Sequence, residues 1–241
     1  MNTFCLLTGR GNNTLKNKNI LPVLGNPLIS YPAIAVSKVI SQDKLYVSSD
    51  DDRILEVAAN YGFSPIKRPL DISGPDAKHI DAINHGISYI EEQHNCKIDI
   101  LVVILANSAT VKSEWISRAI QMIKDDPSLT AVVPAYIEQD HHPFRAKKLN
   151  NEGLLIPYFD FGDKNISTNR QELEDNYFLC HNFWVLNVKE SVAKLDGYKP
   201  WSFLGKKVKP IVVKNSFDVH SMDDILRTER WIKENLPHKG T

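Results

Sequence analysis

Three observations mark the sequence as an α/β protein with an open, mostly parallel sheet. Apolar runs of strand length alternate with segments of helical period, which is the pattern of βαβ units. One run, Ile98–Leu105, is almost continuously apolar, as a central strand covered on both faces must be. Polar loops follow the strands, at the place where an open sheet exposes its ligand crevice.

The elements are these, in chain order. Thr3–Thr8 (TFCLLT) reads as a buried strand and runs into the polar loop GRGNNTLKNKN. A helix is expected over Leu28–Ile40, with Ile29, Ala33, Val36 and Ile40 on one face. The strand Leu45–Val47 ends in the acidic cluster Ser48-Ser49-Asp50-Asp51-Asp52, and a helix over Arg53–Asn60 stops before Gly62. A short strand near Pro65-Ile66 leads to Arg68-Pro69 and the turn-rich LDISGPD. Asp76–Gln93 places Ile80, Ile83, Ile87 and Ile90 on one helical face. After Ile98–Leu105, a helix starting at Ser113 turns Ile116, Ala119, Ile120 and Ile123 inward. Beyond the strand Ala131–Tyr136 the rhythm changes. Arg145–Tyr158 alternates and turns at Asn150–Gly153 like a hairpin, strands come next at Phe178–Leu186 and Val208–Val213, and a helix spans Met222–Asn235. This organisation is one domain over residues 1–241 with a β-rich excursion over 137–175.

Composition narrows the function. In 241 residues, 29 Lys and Arg balance 29 Asp and Glu, which argues against nucleic-acid binding, since that draws on a basic excess. Cys5, Cys96 and Cys180 form no CxxC pair, so neither a disulfide framework nor a cysteine zinc site is indicated. The start MNTFCLLTGRG lacks the charged and apolar regions of a signal peptide, and no run of 18 apolar residues occurs. A reduced, cytoplasmic protein that does not enter a membrane is expected.

The loop after the first strand is the most informative segment. It holds two glycines, four asparagines and the cations Arg10, Lys16 and Lys18 within eleven residues. Turn amides beside a guanidinium and an ammonium form a triphosphate cradle; a polar surface turn is an equal reading of the same composition. The Gly-Lys-Ser/Thr of a Walker A loop is absent, and Gly9, Gly11 and Thr14 match the dinucleotide fingerprint except at its last position. Neither a P-loop enzyme nor a nicotinamide dehydrogenase is supported.

Several conspicuous residues have plain structural readings. Asp51 and Asp52 fall at a helix start, where capping and the helix dipole account for them. Asp140-His141-His142 is a turn whose histidines do not converge on one ion, so solvent-facing or substrate-adjacent roles are expected. Cys180 and His181, as strand neighbours, point to opposite faces and make no catalytic pair. Trp115, Trp201 and Trp231 are expected to pack rather than stack on a base.

Together with the residues on its carboxyl side, the first loop resembles a known family. LLTGRGNNTLKNKNILPVLGNPLISYP is similar to the amino-terminal signature of sugar-acid cytidylyltransferases, typified by the acylneuraminate cytidylyltransferases: a strand, A-R-G-G-S-K, a short spacer, K-N-I and G-K-P-L-I. The resemblance continues in order through VSSDDDRILEVAANYG, KRPLDIS, HPFRAKKLNNEGLLIP, NRQEL and FDVHSMDDI, and so spans nearly the whole chain. It implies a three-layer α/β/α Rossmann-like nucleotidyltransferase fold with a small β-rich dimerisation arm. It also implies a Mg²⁺-dependent enzyme that joins CTP to a 2-keto-3-deoxy sugar acid and works as a homodimer.

Residue roles carry over from the matched motifs. Arg10 and Lys18 correspond to the phosphate-contacting catalytic cations, with Gly11, Asn12, Asn13, Lys16, Asn19, Arg68 and Asp76 around the nucleotide. Asn107, His142, Arg170, Gln171, His181 and Asn182 fall on the sugar-acid side, where Arg170 suits a carboxylate. Asp218 matches the first metal carboxylate and His220 takes the position of the second. The departures are specific. The loop is one residue short, Asn13 or Thr14 replaces the G-S-K lysine, with Lys16 in reach of compensating, and the glutamine of L-Q-P-T-S-P-L-R is gone from LANSATVK. HNFWVL replaces N-G-A-I-Y-I, so His181 or Asn182 stands for its asparagine. Because imidazole is a poor Mg²⁺ ligand, Asp218 acts with Asp223 and phosphate oxygens, or another metal is used. The alternatives are a nucleotidyltransferase of the same fold for a Kdo-type acid, alditol phosphate, sugar 1-phosphate or phosphonate, and a non-catalytic nucleotide-binding relative.

Overall fold

The computed structural model describes residues 1–11 and 13–236; the expectation for Asn12 lies outside them. The strands in chain order are β1 (Thr3–Thr8), β2 (Pro22–Val23), β3 (Asn26–Pro27), β4 (Leu45–Ser49), β5 (Ser64–Lys67), β6 (Ile100–Leu105), β7 (Ala131–Ile137), β8 (Lys147–Leu149), β9 (Leu155–Pro157), β10 (Tyr177–Leu179), β11 (Phe183–Asn187) and β12 (Val208–Val212). The helices are α1 (Ser30–Ser37), α2 (Asp52–Ala59), α3 (His79–His94), α4 (Ser113–Asp125) and α5 (Met222–Asn235).

An eight-stranded mixed sheet carries the fold, in the order β10-β7-β11-β6-β1-β4-β5, with β12 paired to β7. The half containing β6, β1, β4 and β5 is parallel. β6, β1 and β4 are buried on both sides, and alternate residues feed two cores, while β5 is an edge strand that buries only Ile66. Cys5 and Leu7 of β1 pack with Ala33, Ile54, Ile116 and Ile120 from α1, α2 and α4. Phe4 and Leu6 pack on the opposite face with Ile83 and Ile90 of α3, Trp184, and Phe203 and Leu204. The period-2 alternation of the strands thus builds three layers from one apolar run. Gly86 lets α3 approach, because a Cβ there would lie 2.5 Å from Leu6 Cδ2.

Three local features differ from the expectation. The first helix is shorter than residues 28–40. Leu28 N–H donates to Leu21 O and Ile29 N–H to Asn19 O, so those two residues close the small β2–β3 hairpin and join it to the first loop. The helix over 76–93 starts only at His79, after a turn. The strand over 178–186 is broken. Between the Leu179–Ala135 and Val185–Val132 pairs it uses more residues than β7 does; Cys180 N–H still donates to Pro134 O, and the chain bulges at His181 and Asn182. The excursion contains one hairpin, β8–β9, in a sheet of its own. No helix among the described residues is long and apolar enough to cross a membrane.

Candidate active site

A cleft of about 360 Å³ opens at the carboxyl ends of β1, β4 and β6 and is lined by Arg10, Asn13, Lys18, Asn19, Arg68 and Asn107, all marked by the sequence. Two close approaches shape it. A Cβ on Gly9 would lie 2.9 Å from Ala106 Cβ, and one on Gly11 would lie 2.8 Å from Asp51 Cβ. Both positions therefore need glycine for the chain to pass between β4 and β6.

The loop is held by its own polar groups. Asn19 Nδ2 donates to Arg10 O at 3.0 Å, Asn13 Nδ2 donates to the same carbonyl at 2.5 Å, and Gly11 N–H donates to Asp50 Oδ1 at 3.0 Å. Arg10 Nη1 crosses the opening and donates to Gly74 O at 3.2 Å. Arg68 is buried beneath, its Nε donating to Ser48 Oγ at 3.1 Å and its Nη2 to Ser48 O at 2.8 Å. Burial draws the Arg68 guanidinium below its ordinary range, Asp50 opposes this and Arg10 adds to it. Burial likewise lowers the Lys18 ammonium, while Asp218 supports its charge and Arg10 weakens it. Cations that repel one another across a cleft form a site whose charge an anion completes.

Asp218 stands opposite. Its Oδ2 accepts from Asn107 Nδ2 at 3.2 Å and lies 2.9 Å from His220 Nε2. The helix-start carboxylate absorbed by the cap is Asp224, whereas Asp223, the residue expected to act with Asp218, is exposed on the first turn. Asp224 Oδ2 accepts from the His220 and Ser221 amides in a capping box that starts α5. Among the described residues no group of three or more His, Cys, Asp or Glu could hold a metal alone. Asp218 is outside the cleft lining but bonds the lining residue Asn107 and supports the Lys18 charge, and as one carboxylate so placed it fits Mg²⁺, which takes one or two carboxylates and completes its shell with phosphate oxygens and water.

The acidic trio is structural. Asp51 caps α2 by accepting from Arg53 N–H at 2.9 Å, and Lys67 Nζ donates to Asp52 Oδ1 at 2.5 Å.

The other marked residues lie off the cleft lining. Lys16, Asp76 and Gly11 sit beside it without forming its walls. His181 packs on Trp201 with ring centroids 4.7 Å apart, and its imidazole is lowered by burial against the opposing pull of Asp218. Asn182 is buried and braces the bulge, donating to Ser216 Oγ at 2.5 Å. His142 uses both ring nitrogens, Nδ1 accepting from Phe144 N–H at 3.1 Å and Nε2 meeting Glu174 O at 3.2 Å, and so clasps the excursion. Arg170 pairs with Asp140, next to Gln171 in a turn held by Asn169. Cys180 is buried, its thiol pushed up to about 12, which leaves no thiolate to react.

His79 belongs to the site and carries no motif. It lines the cleft at the first residue of α3, meets Thr8 Oγ1 through Nε2 at 3.0 Å and packs on Trp184. Burial, with Arg68 and His181 adding to it, holds the imidazole down to about 4, so it is neutral at pH 7. The sequence signal available was a histidine three residues past LDISGPD, at the start of a helix aimed at the cation loop.

A cationic cleft at the carboxyl end of a doubly covered parallel sheet defines a nucleotide-binding α/β protein. A family model described as Cytidylyltransferase matches residues 10–168. The chain belongs to the cytidylyltransferase family, as a divergent member, and is a CTP-dependent nucleotidyltransferase. It is 24% identical to a pseudaminic acid cytidylyltransferase of Campylobacter jejuni over 93% of this chain and 94% of that one. It is 23% identical to a CMP-N,N'-diacetyllegionaminic acid synthase of Legionella pneumophila over 93% of each. The fold matches a CMP:2-keto-3-deoxy-manno-octonic acid synthetase solved with CTP, at TM-score 0.64 and 15% identity over 98% of this chain and 100% of that one. It also matches a 4-diphosphocytidyl-2C-methyl-D-erythritol synthase of Anaerococcus prevotii, at TM-score 0.65 and 13% identity over 96% of each.

Proposed function

We propose that the chain transfers CMP from CTP to the anomeric hydroxyl of a nonulosonic acid, a nine-carbon 2-keto-3-deoxy sugar acid. The sugar hydroxyl gives its proton to water as its oxygen bonds to the α-phosphorus, the bond from that phosphorus to the β-phosphate bridging oxygen breaks, and pyrophosphate leaves with that oxygen. The observation that carries this reading is the convergence of Arg10, Lys18 and Arg68 on one cleft facing Asp218. The names of the relatives, which specify pseudaminic and legionaminic acids, supply the acceptor class.

Position assigns the roles. Lys18 and Arg10 stabilise the charge that grows on the α-phosphate oxygens and the departing pyrophosphate. Triphosphate binding draws the Arg10 guanidinium from the Gly74 carbonyl. Arg68 fixes the carboxyl ends of β1 and β4 and adds its charge from below. Asp218 would hold Mg²⁺, whose contribution when bound is to neutralise the triphosphate. His220 hydrogen-bonds that carboxylate and orients it rather than serving as a ligand.

The chain works as a homodimer through the excursion, where Leu149, Leu155, Tyr158 and Phe159 are exposed, as are Tyr177 and Phe178 of β10. Arg170 and Gln171 lie on this arm and serve the sugar-acid carboxylate at the subunit boundary.

The test is pyrophosphate release from CTP with pseudaminic, legionaminic, N-acetylneuraminic and 2-keto-3-deoxy-manno-octonic acids and an alditol phosphate. Mg²⁺-dependent turnover with at least one nine-carbon acid is expected, falling by about 100-fold or more in Arg10→Ala and in Asp218→Ala. Turnover confined to the eight-carbon acid or the alditol phosphate would overturn the acceptor assignment. Failure to bind CTP would overturn the enzyme reading itself.

A further inference from the structure

Residues 213–220, which carry Asp218, join β12 to α5 without regular secondary structure. With no ladder or helix behind it, such a segment keeps its place only through the bonds it makes to its neighbours. One side is anchored by Val219, wholly buried against Val23, Leu28, Ile225 and Trp231. The other side is held by two residues of the loop that follows β6.

Asn107 Nδ2 donates to Asp218 Oδ2 and to Val219 O, each at 3.2 Å, while Asn107 O accepts from Val219 N–H at 3.0 Å. Thr110 Oγ1 accepts from Phe217 N–H at 2.9 Å and donates to Phe217 O at 2.6 Å, and Thr110 O accepts from Ser216 Oγ at 2.7 Å. Every residue from Ser216 to Val219 is therefore bonded to Asn107 or Thr110. Both are buried, Thr110 completely, so water does not compete for these bonds. Set against L-Q-P-T-S-P-L-R, the segment LANSATVK has Asn107 and Thr110 at the two proline positions. A proline side chain neither donates nor accepts, so the attachment uses groups that the pattern lacks. His220 Nε2 also lies 2.9 Å from Asp218 Oδ2. Both side-chain contacts thus fall on Oδ2 and neither on Oδ1.

We propose that Asn107 and Thr110 are positioning residues that set the Asp218 carboxylate for its cation. Thr110 fixes the backbone one residue before the carboxylate, and Asn107 engages Oδ2 so that Oδ1 is left to the cation. This rests on the reading of Asp218 as the Mg²⁺ carboxylate.

The test is calorimetric titration of the full chain with CTP, with and without saturating Mn²⁺ as a hard-cation probe. The factor by which Mn²⁺ tightens CTP reports the cation site without turnover. Mn²⁺ should tighten CTP in the wild type, and Asn107→Leu and Thr110→Val should each cut that gain by about tenfold. Thr110→Ser, which keeps the hydroxyl, should retain it. Thr110 stands outside the cleft lining, so Thr110→Val should keep its metal-free CTP affinity, which also reports that it folds. A purely structural role would lower the melting temperature of Thr110→Val and leave the Mn²⁺ gain intact, overturning the proposal. An equal loss of gain in Thr110→Ser, or weakened metal-free binding in Thr110→Val, would overturn it too. Asp218→Ala separates the two readings. A full Mn²⁺ gain in Asp218→Ala removes the metal role of Asp218 and this inference with it. Loss in Asp218→Ala with full gain in Asn107→Leu and Thr110→Val removes the positioning roles alone.

Discussion

His79 is a half-buried base in a cleft lined with cations. Its imidazole is held near 4, against an ordinary value of 6.5, because burial and the Arg68 charge both disfavour the protonated ring. The unfolded chain therefore takes up a proton below pH 6.5 that the folded chain refuses. The His79 contribution to stability falls by about 1.4 kcal/mol per pH unit from 6.5 down to about 4 and is constant below, where its ring is protonated in both states. His79→Gln, which keeps an amide near Thr8 but cannot titrate, should flatten that part of the pH–stability curve. Urea denaturation at pH 7, 5.5 and 4.5 for both proteins checks it, and identical slopes would remove His79 as the cause. At this scale the sequence is legible wherever a residue sits inside a motif. Arg10, Lys18, Asn19 and Arg68 all reach one cleft. His79 was not legible, because a histidine at a helix start gains its meaning from Thr8 and Trp184, which are remote in the chain.

Among elements, α5 shows how a helix start positions a site. Ser221 Oγ accepts from Asp224 N–H at 3.3 Å and Asp224 Oδ2 accepts from Ser221 N–H at 3.0 Å, closing the capping box. The same carboxylate takes the His220 amide, so the cap fixes the segment that presents Asp218. Ser221→Ala should cost about 1 kcal/mol and loosen Asp218 as well. A lower urea midpoint together with a raised Mg²⁺ requirement for pyrophosphate release is the expected pair of results. A fall in stability with an unchanged Mg²⁺ requirement would show that the cap does not position the carboxylate. The helices with a strong apolar stripe were legible from their period, as in α4, where Ile116, Ala119, Ile120 and Ile123 are all buried. The break between β10 and β11 was not, because YFLCHNFWVLN keeps strand composition throughout. The bulge forms where Asn182 finds Ser216 and Thr110 from distant loops.

For the whole molecule, the neutral charge balance conceals a polarised arrangement. Cations gather at one end of the sheet while many exposed apolar side chains gather on the excursion. The β8–β9 hairpin has three residues per strand and exposes Leu149 and Leu155, too little surface to bury its own faces. Leu155→Glu combined with Phe159→Glu should convert a dimer to a monomer in light scattering and leave the fold intact by circular dichroism. A wild-type chain that is monomeric at micromolar concentration would sink the dimer.

The sequence by itself determined the α/β class, the order of the parallel strands' loops and the cation-bearing first loop, since these rest on local period and on motifs contiguous in the chain. It also determined the family, whose signature is spread over the chain in order. Only the tertiary structure decided which polar residues face a ligand and which are spent on the fold. Asn107, His142, Asn182 and Asp224 read alike as polar side chains, yet only Asn107 lines the cleft, and the others hold a clasp, a bulge and a cap. The physical reason is that a buried polar group must be paired, and its partners here come from segments that only folding brings together.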